Sequence, residues 1–216
     1  MHTESDATPS PRRPSWHERL FASLIASEST GRSHYYEARK RALLGDLHGD
    51  VLEIGPGTGA NLTYYPADVR WLGIDPNPAM FPYVQREAQR LGLSIQLREG
   101  QAEHLDVPDS SLDAVVSTQV LCSVTNPQRS LREIVRVLKP GGRFVFIEHV
   151  AAPRGSGRRR WQRIVRPLWQ VMSDACHVDR ETGAAIEHAG FSSVHLDHFH
   201  LDIPIVGPHI AGFAIK

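Results

Sequence analysis

Apolar and polar positions alternate along the chain in short blocks whose period switches between that of a strand and that of a helix. Val51-Leu52-Glu53-Ile54 is the first apolar run, and Trp71-Leu72-Gly73-Ile74 is the second, ending at Asp75. Ser94-Ile95-Gln96-Leu97-Arg98 alternates residue by residue, and Leu112 to Ser117 is apolar enough to be buried on both faces. Arg143 to His149 gives a fifth strand, and Ser192 to His200 and Ile210 to Ile215 give a final antiparallel pair. Helical spacing fills the intervals. Trp16, Leu20, Phe21, Leu24 and Ile25 share one side of a helix, and Tyr36, Lys40, Leu43, Leu44 and Leu47 share one side of a second over Ser33 to Leu47, with Ser33 as its cap. Further helices are expected over Ala60 to Tyr65, from Pro76-Asn77-Pro78 to Leu91 with Gly92 as the stop, over Pro127 to Leu138, and over Glu181 to Ala189. Lys139-Pro140-Gly141-Gly142 is a turn signal. Strand-helix alternation of this kind predicts an α/β fold: a doubly wound, seven-stranded, mostly parallel sheet with a terminal antiparallel strand.

The periodicity breaks over residues 151–180, where Arg154, Arg158, Arg159, Arg160, Arg163 and Arg166 are interleaved with Trp161, Ile164, Val165, Leu168, Trp169 and Met172. The spacing is helical, with an interruption at Pro167. The segment reads as a helical cover with a solvated arginine face over a packed aromatic face; contact with a membrane surface or with nucleic acid is the competing reading. Residues 1–15, rich in Ser, Thr, Pro and charge, read as a disordered lead-in. Residues 16–216 then form a single domain, with N-terminal helices over 16–48 that pack on a sheet edge or close over a ligand through Tyr35 or Tyr36.

Composition narrows the function. The 216 residues carry a formal net charge of zero, which removes a global electrostatic case for nucleic acid. Cys122 and Cys176, the only cysteines, make neither a disulfide framework nor a zinc cluster, and Asp174-Ala175-Cys176-His177 lacks a recognisable ligand spacing, so no metal is expected. A reducing compartment is the default. No apolar run approaches a membrane span and nothing resembles a signal peptide, so the expectation is a soluble, cytoplasmic protein with at most peripheral membrane contact.

The chemistry concentrates after the first strand. Gly55, Gly57 and Gly59 form a tight turn that lets backbone approach a ligand, and the following residues offer unpaired N–H groups. An acid at the end of the second strand, Asp75, can hold a ribose through both hydroxyls. Gly55, Gly57 and Ala60 also satisfy the loose dinucleotide pattern, so a nicotinamide enzyme is a competing reading. The separate feature is Glu53, an acid just before the turn.

The run Glu53-x-Gly55-x-Gly57-x-Gly59 resembles the first motif of class I S-adenosylmethionine-dependent methyltransferases. The resemblance is closer to one group, the alkyl thiol methyltransferases. Leu52-Glu53-Ile54-Gly55, Gly57-Thr58-Gly59-Ala60-Asn61, Tyr65-Pro66 and Asp75-Pro76-Asn77-Pro78 carry its first half. Val120-Leu121-Cys122-Ser123-Val124, Arg136 to Gly142, Glu148-His149-Val150-Ala151, Arg180-Glu181-Thr182 and Gly207-Pro208-His209-Ile210 carry the second, so that it spans roughly residues 34 to 216. The resemblance implies a Rossmann-like fold and methyl transfer from S-adenosylmethionine to the sulfur of a small, fairly apolar thiol, with S-adenosylhomocysteine as the second product. Similar cores methylate nitrogen or oxygen, including lipid amines, and a non-catalytic protein that binds the donor is a further alternative. Two departures stand out: Pro56 replaces a common cysteine, and a polar lead-in replaces an apolar anchor.

The implied donor contacts are Glu53, acting through water or backbone, with Gly55, Pro56, Gly57, Gly59 and Asn61. Asp75 and Pro76 follow, and Tyr36 comes from the N-terminal helices. Gln101, Ala102 and Glu103 run along the adenine edge, Gln101 standing where many relatives have an acid. Thr118 and Gln119 close the set at the end of strand four. Val120, Cys122, Trp169 and Cys176 are the candidate acceptor pocket. His149, whose imidazole titrates near neutrality, and an Asp174–His177 pair are the candidate proton-handling groups.

Overall fold

A computed structural model describes residues 14–23, 36–172 and 176–216. The strands are β1 (Asp50–Ile54), β2 (Arg70–Asp75), β3 (Ile95–Glu99), β4 (Leu112–Thr118), β5 (Leu138–His149), β6 (Ser193–His200) and β7 (Pro208–Ile215). They form a seven-stranded sheet in the order β3-β2-β1-β4-β5-β7-β6. β1 lies parallel to both β2 and β4, with Ile54 level with Ile74 on one side and Ser117 on the other. The chain order reverses there, so the carboxyl ends of β1, β2 and β4 open onto one crevice, the place where open α/β sheets take ligands. β7 is antiparallel to β5 and to β6, which makes β7 the one strand running against the rest.

The helices are α1 (residues 16–23), α2 (Glu37–Leu44), α3 (Phe81–Leu91), α4 (Pro127–Val137), α5 (Gly157–Met172) and α6 (Thr182–Glu187). Alternate residues of the central strands feed two cores. Leu52, Val115, Phe144 and Phe146 pack with Leu131 and Ile134 of α4 and Ile186 of α6 on one face. Val51, Ala114, Val116 and Val145 pack with Leu44 of α2 on the other. Phe144 and Phe146 are fully buried, and each contributes about 1.5–3 kcal/mol relative to exposure.

α1 starts with a capping box: Ser15 N–H donates to Glu18 Oε2 at 2.6 Å and Glu18 N–H to Ser15 Oγ at 3.3 Å. The Glu18 carbonyl accepts from Asn77 Nδ2 at 3.1 Å, and Ala22 packs with Ala79 and Met80. These contacts seat α1 on the loop that follows β2. Residues 1–13 of the expected lead-in, and Ser33 and Tyr35, lie outside the described residues.

Several elements differ from the sequence expectation. Ala60 to Tyr65 is not an α-helix: after a turn it makes one 3-10 turn, Leu62–Tyr64, and Tyr65 is extended at ψ 142°. Pro66 enforces that conformation on the residue before it. α2 begins at Glu37 and ends at Leu44, short of the expected Leu47. Lys139 to Gly142 does not precede β5 but lies within it, as an irregularity between the Leu112 and Ala114 pairings, with Gly141 at φ 78°. α5 continues through Pro167, although proline supplies no N–H to the helix. Its apolar residues also divide: Val165 and Trp169 pack inward, whereas Trp161, Ile164 and Leu168 are exposed. The arginines of this region are partly paired, Arg154 and Arg159 with Glu181 and Arg166 with Asp179. Among the described residues no helix is long and apolar enough to cross a membrane.

Candidate active site

The turn after β1 places Gly55 at φ 59° and Gly57 at φ 57°, in the left-handed region that side chains disfavour. The two glycines serve different ends. A Cβ on Gly55 would sit 2.6 Å from Val120 Cγ2, so the turn and the loop after β4 touch backbone to side chain. A Cβ on Gly57 would meet no atom within 4 Å, so its face is open. Gly55 N–H donates to Ile74 O at 2.8 Å, which ties the turn to the end of β2.

Below the turn, Glu53 is 2 % exposed and accepts three side-chain hydrogen bonds. Asn61 Nδ2 donates to Oε1 at 2.8 Å; the Tyr65 hydroxyl at 2.8 Å and Trp71 Nε1 at 3.1 Å donate to Oε2. Three side chains from separate elements thus hold the Glu53 carboxylate in place. Burial raises its pKa against these bonds and against the nearby Lys40, also buried, whose own pKa burial lowers. Asn61 Nδ2 also donates to Thr118 Oγ1 at 3.0 Å, linking the turn to the end of β4, while its Oδ1 is buried with no hydrogen-bond partner among the described residues. Tyr65, Trp71 and Lys40 belong to this network by contacts between separate elements, and no local pattern announces them.

Asp75 ends β2 buried, with Oδ1 accepting from Asn77 N–H at 2.8 Å, and Pro76 holds the bend between them. Asn77 Oδ1 accepts from Ala79 N–H at 3.0 Å and so caps the helical segment that follows. Gln101 is exposed and bridges to His104 beside a hollow of about 270 Å³ that Ile74 and Glu99 also line. Ala102 is buried in the main core. Glu103 Oε1 accepts from Thr125 N–H at 2.7 Å and Asn126 N–H at 3.0 Å, which commits its carboxylate to the loop before α4. A larger cleft of about 860 Å³, lined by Asp50, Arg70 and Leu112 among others, opens at the amino ends of the strands, the opposite end from the glycine turn.

Beyond β4 the backbone is held by buried polar groups. Gln119 adopts φ 60° and donates its N–H to Ile147 O at 2.9 Å. Glu148, fully buried, accepts from Ser117 Oγ at 2.7 Å and Val120 N–H at 3.2 Å, and burial pushes its pKa up. Arg180 donates to the carbonyls of Leu121 at 2.6 Å and Val124 at 2.7 Å, and His177 N–H donates to Cys122 O at 2.9 Å. Loop 120–124 is thereby clamped to the segment that carries Cys176.

That clamp assembles a cluster with no local signature. The sulfurs of Cys122 and Cys176 and a ring nitrogen of His149 lie within 4.8 Å of one another, all three residues buried. His149 Nε2 is 3.1 Å from Cys176 Sγ. A hydrogen bond from Cys122, with His149 beside it, brings the Cys176 thiol down to about 4, while its bond to Cys176 and burial push Cys122 well up. Trp169, Val165, Val178 and Val206 surround the sulfurs with apolar surface. The other expected members are spread more widely. The His177 ring nitrogens face Gln170 Nε2 at 3.0 Å, and burial lowers the His177 pKa. Asp174 lies outside the described residues. The Tyr36 hydroxyl is 2.9 Å from His209 Nε2, at the start of β7, and His209 stands edge-on to His149 with ring centroids 6.3 Å apart. Tyr36 therefore sits on the His149 side of the crevice, joined to a histidine that the sequence motifs contain but did not single out.

Known proteins share both the sequence and the architecture. The family described as Methyltransferase domain matches residues 52–146. Thiol S-methyltransferase TMT1A of Homo sapiens is 42% identical over 172 residues, covering 77% of this chain and 70% of that protein. Thiol S-methyltransferase TMT1B of Rattus norvegicus is 39% identical over 213 residues, covering 91% of this chain and 86% of that protein. Among solved structures, a SAM-dependent methyltransferase from Thermotoga maritima superposes with a TM-score of 0.67 over 94% of this chain and 100% of its own, at 21% identity, which establishes the shared fold. With the glycine turn, the acid ending β2 and the seven-stranded order all in place, the chain belongs to the thiol S-methyltransferase family of class I S-adenosylmethionine-dependent methyltransferases.

Proposed function

We propose that this enzyme transfers the methyl group of S-adenosylmethionine to the sulfur of a small, fairly apolar thiol. The observation that carries this reading is the kinship with thiol S-methyltransferases over most of both chains. The site supports it. Gly55, Pro56, Gly57 and Gly59 cradle the methionine portion and sugar of the donor, Asp75 with Pro76 takes the ribose, and Gln101 and Ala102 flank the adenine. Glu53, Asn61 and Thr118 hold the turn in shape, and the unpartnered Asn61 Oδ1 is an acceptor for the donor's ammonium group. Gln119 lies beside the reacting end. Glu103 shapes the adenine edge through the α4 loop, and Tyr36 shapes the acceptor side through His209.

The acceptor approaches over Val120, Cys122, Trp169 and Cys176. The chemistry asks for alignment and for a dry pocket. One C–S bond of the sulfonium breaks as the acceptor sulfur's lone pair forms the new one, and S-adenosylhomocysteine leaves with its sulfur as a neutral thioether. Orientation supplies much of the acceleration. A thiol of pKa about 8.5 is already a few per cent thiolate at neutral pH, so its proton is the easier part. His149 acts on the acceptor through the cluster it shares with Cys176, its Nε2 being turned to that sulfur. His177 positions the Cys122 loop through its backbone. We further infer a cytoplasmic location, which suits two unpaired, buried cysteines, Cys122 and Cys176; fractionation of cells producing the protein tests it.

The decisive experiment is a product-detected methyl-transfer assay with purified protein, S-adenosylmethionine, and a panel of sulfide, alkyl and aryl thiols, catechols, phenols and primary amines. Methylated thiols well above matched oxygen and nitrogen acceptors are expected. Activity confined to amines or phenols would refute the thiol assignment and leave the donor and the fold intact.

A further inference from the structure

The most unusual chemistry in the molecule is the buried pair of thiols facing an imidazole. We propose that Cys122, His149 and Cys176 form a three-ligand site for a zinc-type divalent cation whose open fourth position receives the acceptor thiol as thiolate. The proposal rests on the thiol reading for its fourth ligand, but not for its first three.

The geometry suits a tetrahedral ion. Bond lengths of about 2.3 Å to sulfur and about 2.0–2.1 Å to nitrogen put sulfurs about 3.8 Å apart and sulfur about 3.6 Å from nitrogen around one centre. The three donor atoms here all lie within 4.8 Å of one another, with His149 Nε2 at 3.1 Å from Cys176 Sγ, so no pair has to change its separation by more than about 1.2 Å to complete the arrangement. Two soft sulfurs and an imidazole favour zinc or another thiophilic ion over magnesium or calcium. Three protein ligands with one position left open is the pattern of a catalytic site; a closed, structural one uses four.

The protein prepares this arrangement. Cys122 lies on the loop after β4, His149 at the last residue of β5, and Cys176 on the segment after α5. Arg180 fixes the carbonyls on either side of Cys122, and His177 N–H joins the Cys122 carbonyl to the residue next to Cys176. Gln162 of α5 accepts from Ala152 N–H at 2.8 Å, which anchors the cover close behind His149. The ligands are thus held by contacts that need no metal, in an apolar surround formed by Val165, Trp169, Val178 and Val206. The site adjoins the end of β4, where Gly55 and Val120 meet, so it stands at the reacting end of the crevice.

The added chemistry is the deprotonation of the acceptor. On coordination R–SH releases its proton to solvent and becomes a metal-bound thiolate. Its remaining lone pair attacks the donor methyl carbon, the donor C–S bond breaks toward the sulfonium sulfur, and R–S–CH3 forms. A neutral thioether is a weaker ligand than a thiolate, so the product leaves and the position reopens.

The test uses the full chain, reduced and stripped of metal, titrated with zinc ion against a chromophoric chelator and with cobalt ion by absorption spectroscopy. Cys122→Ser, Cys176→Ser and His149→Ala are compared, with donor affinity by calorimetry as the check that each variant is folded. A single zinc per chain is expected, with affinity falling by more than about a hundredfold in each variant, beyond the tenfold to hundredfold typical of losing an outer-shell partner. The wild-type cobalt form should show thiolate charge-transfer bands and tetrahedral d–d bands that shift when 1-propanethiol is added. Zinc binding that is equal in the wild type and the cysteine variants, or a cobalt form without thiolate bands, overturns the proposal; the cobalt spectrum decides it even where variants fail to fold. Methylation of 1-propanethiol that continues undiminished after metal removal also overturns the site while leaving the thiol reading standing. Thiolate–cobalt bands that 1-propanethiol does not shift overturn the open position. No thiol turnover with zinc bound would instead remove the thiol reading and leave the three-ligand site.

Discussion

Gly57→Ala separates the two duties of the glycine turn. Gly57 holds φ 57° and a Cβ there meets nothing within 4 Å, so the substitution carries only the cost of a left-handed alanine, about 1–2 kcal/mol of stability. Gly55→Ala carries the same backbone cost at φ 59° and adds a Cβ 2.6 Å from Val120 Cγ2, an overpacking term of about 1–3 kcal/mol. Gly55→Ala should therefore destabilise by about 2–5 kcal/mol, and Val120→Ala combined with it should recover the overpacking part while leaving the backbone part. Donor affinity should run the other way. If the donor lies against the open face of Gly57, as proposed, the new methyl group displaces ligand and weakens binding about tenfold to a hundredfold, or about 1.4–2.8 kcal/mol. Urea unfolding midpoints give the first pair of numbers, and calorimetric titration with S-adenosylmethionine and S-adenosylhomocysteine gives the second. A Gly57→Ala protein that binds the donor like the wild type would refute the assignment of this turn as the cradle. Failure of Val120→Ala to recover stability in the Gly55→Ala background would refute the steric account.

Further outcomes follow from individual contacts. Asp75→Ala removes the acid at the end of β2 and the acceptor of Asn77 N–H, and donor affinity should fall by about tenfold to a hundredfold in the same titration. Arg180→Met keeps the packing stem but frees the carbonyls of Leu121 and Val124; losing bonds to a charged donor should cost about 1.5–3 kcal/mol and lower kcat on thiols more than it weakens donor binding. The Arg136 guanidinium beside Glu133 holds its carboxyl below the ordinary value of 4.5, and Glu133 also accepts from Leu105 N–H. A depressed carboxyl contributes stability above its unfolded pKa and loses it as pH falls through its folded pKa. Urea midpoints of the wild type should therefore fall more steeply below pH 4.5 than those of Glu133→Gln; equal slopes would refute that linkage.

Local physics made much of this protein legible. The apolar runs of β1 and β4, the bend at Asp75-Pro76-Asn77-Pro78 and the stop at Gly92 each follow from the preferences of neighbouring residues, and the structure has strands, a cap and a left-handed glycine at those places. The glycine turn was equally plain, because only a few residue types tolerate positive φ. Where the local signal was weak, neighbours decided: Ala60 to Tyr65 had helical spacing, but Pro66 left room for one 3-10 turn. The apolar residues of α5 had one period, but only the sheet and the returning loops could choose which of them to cover, leaving Trp161, Ile164 and Leu168 outside. The acceptor side was the least legible. Cys122, His149 and Cys176 come from three elements, and Tyr36 meets His209 across 173 positions. Backbone preference acts over a few residues, so sequence alone determined where most strands form and where the glycine turn lies. Which side chains share a buried volume depends on strand order, register and loop return, and the tertiary structure alone decided that.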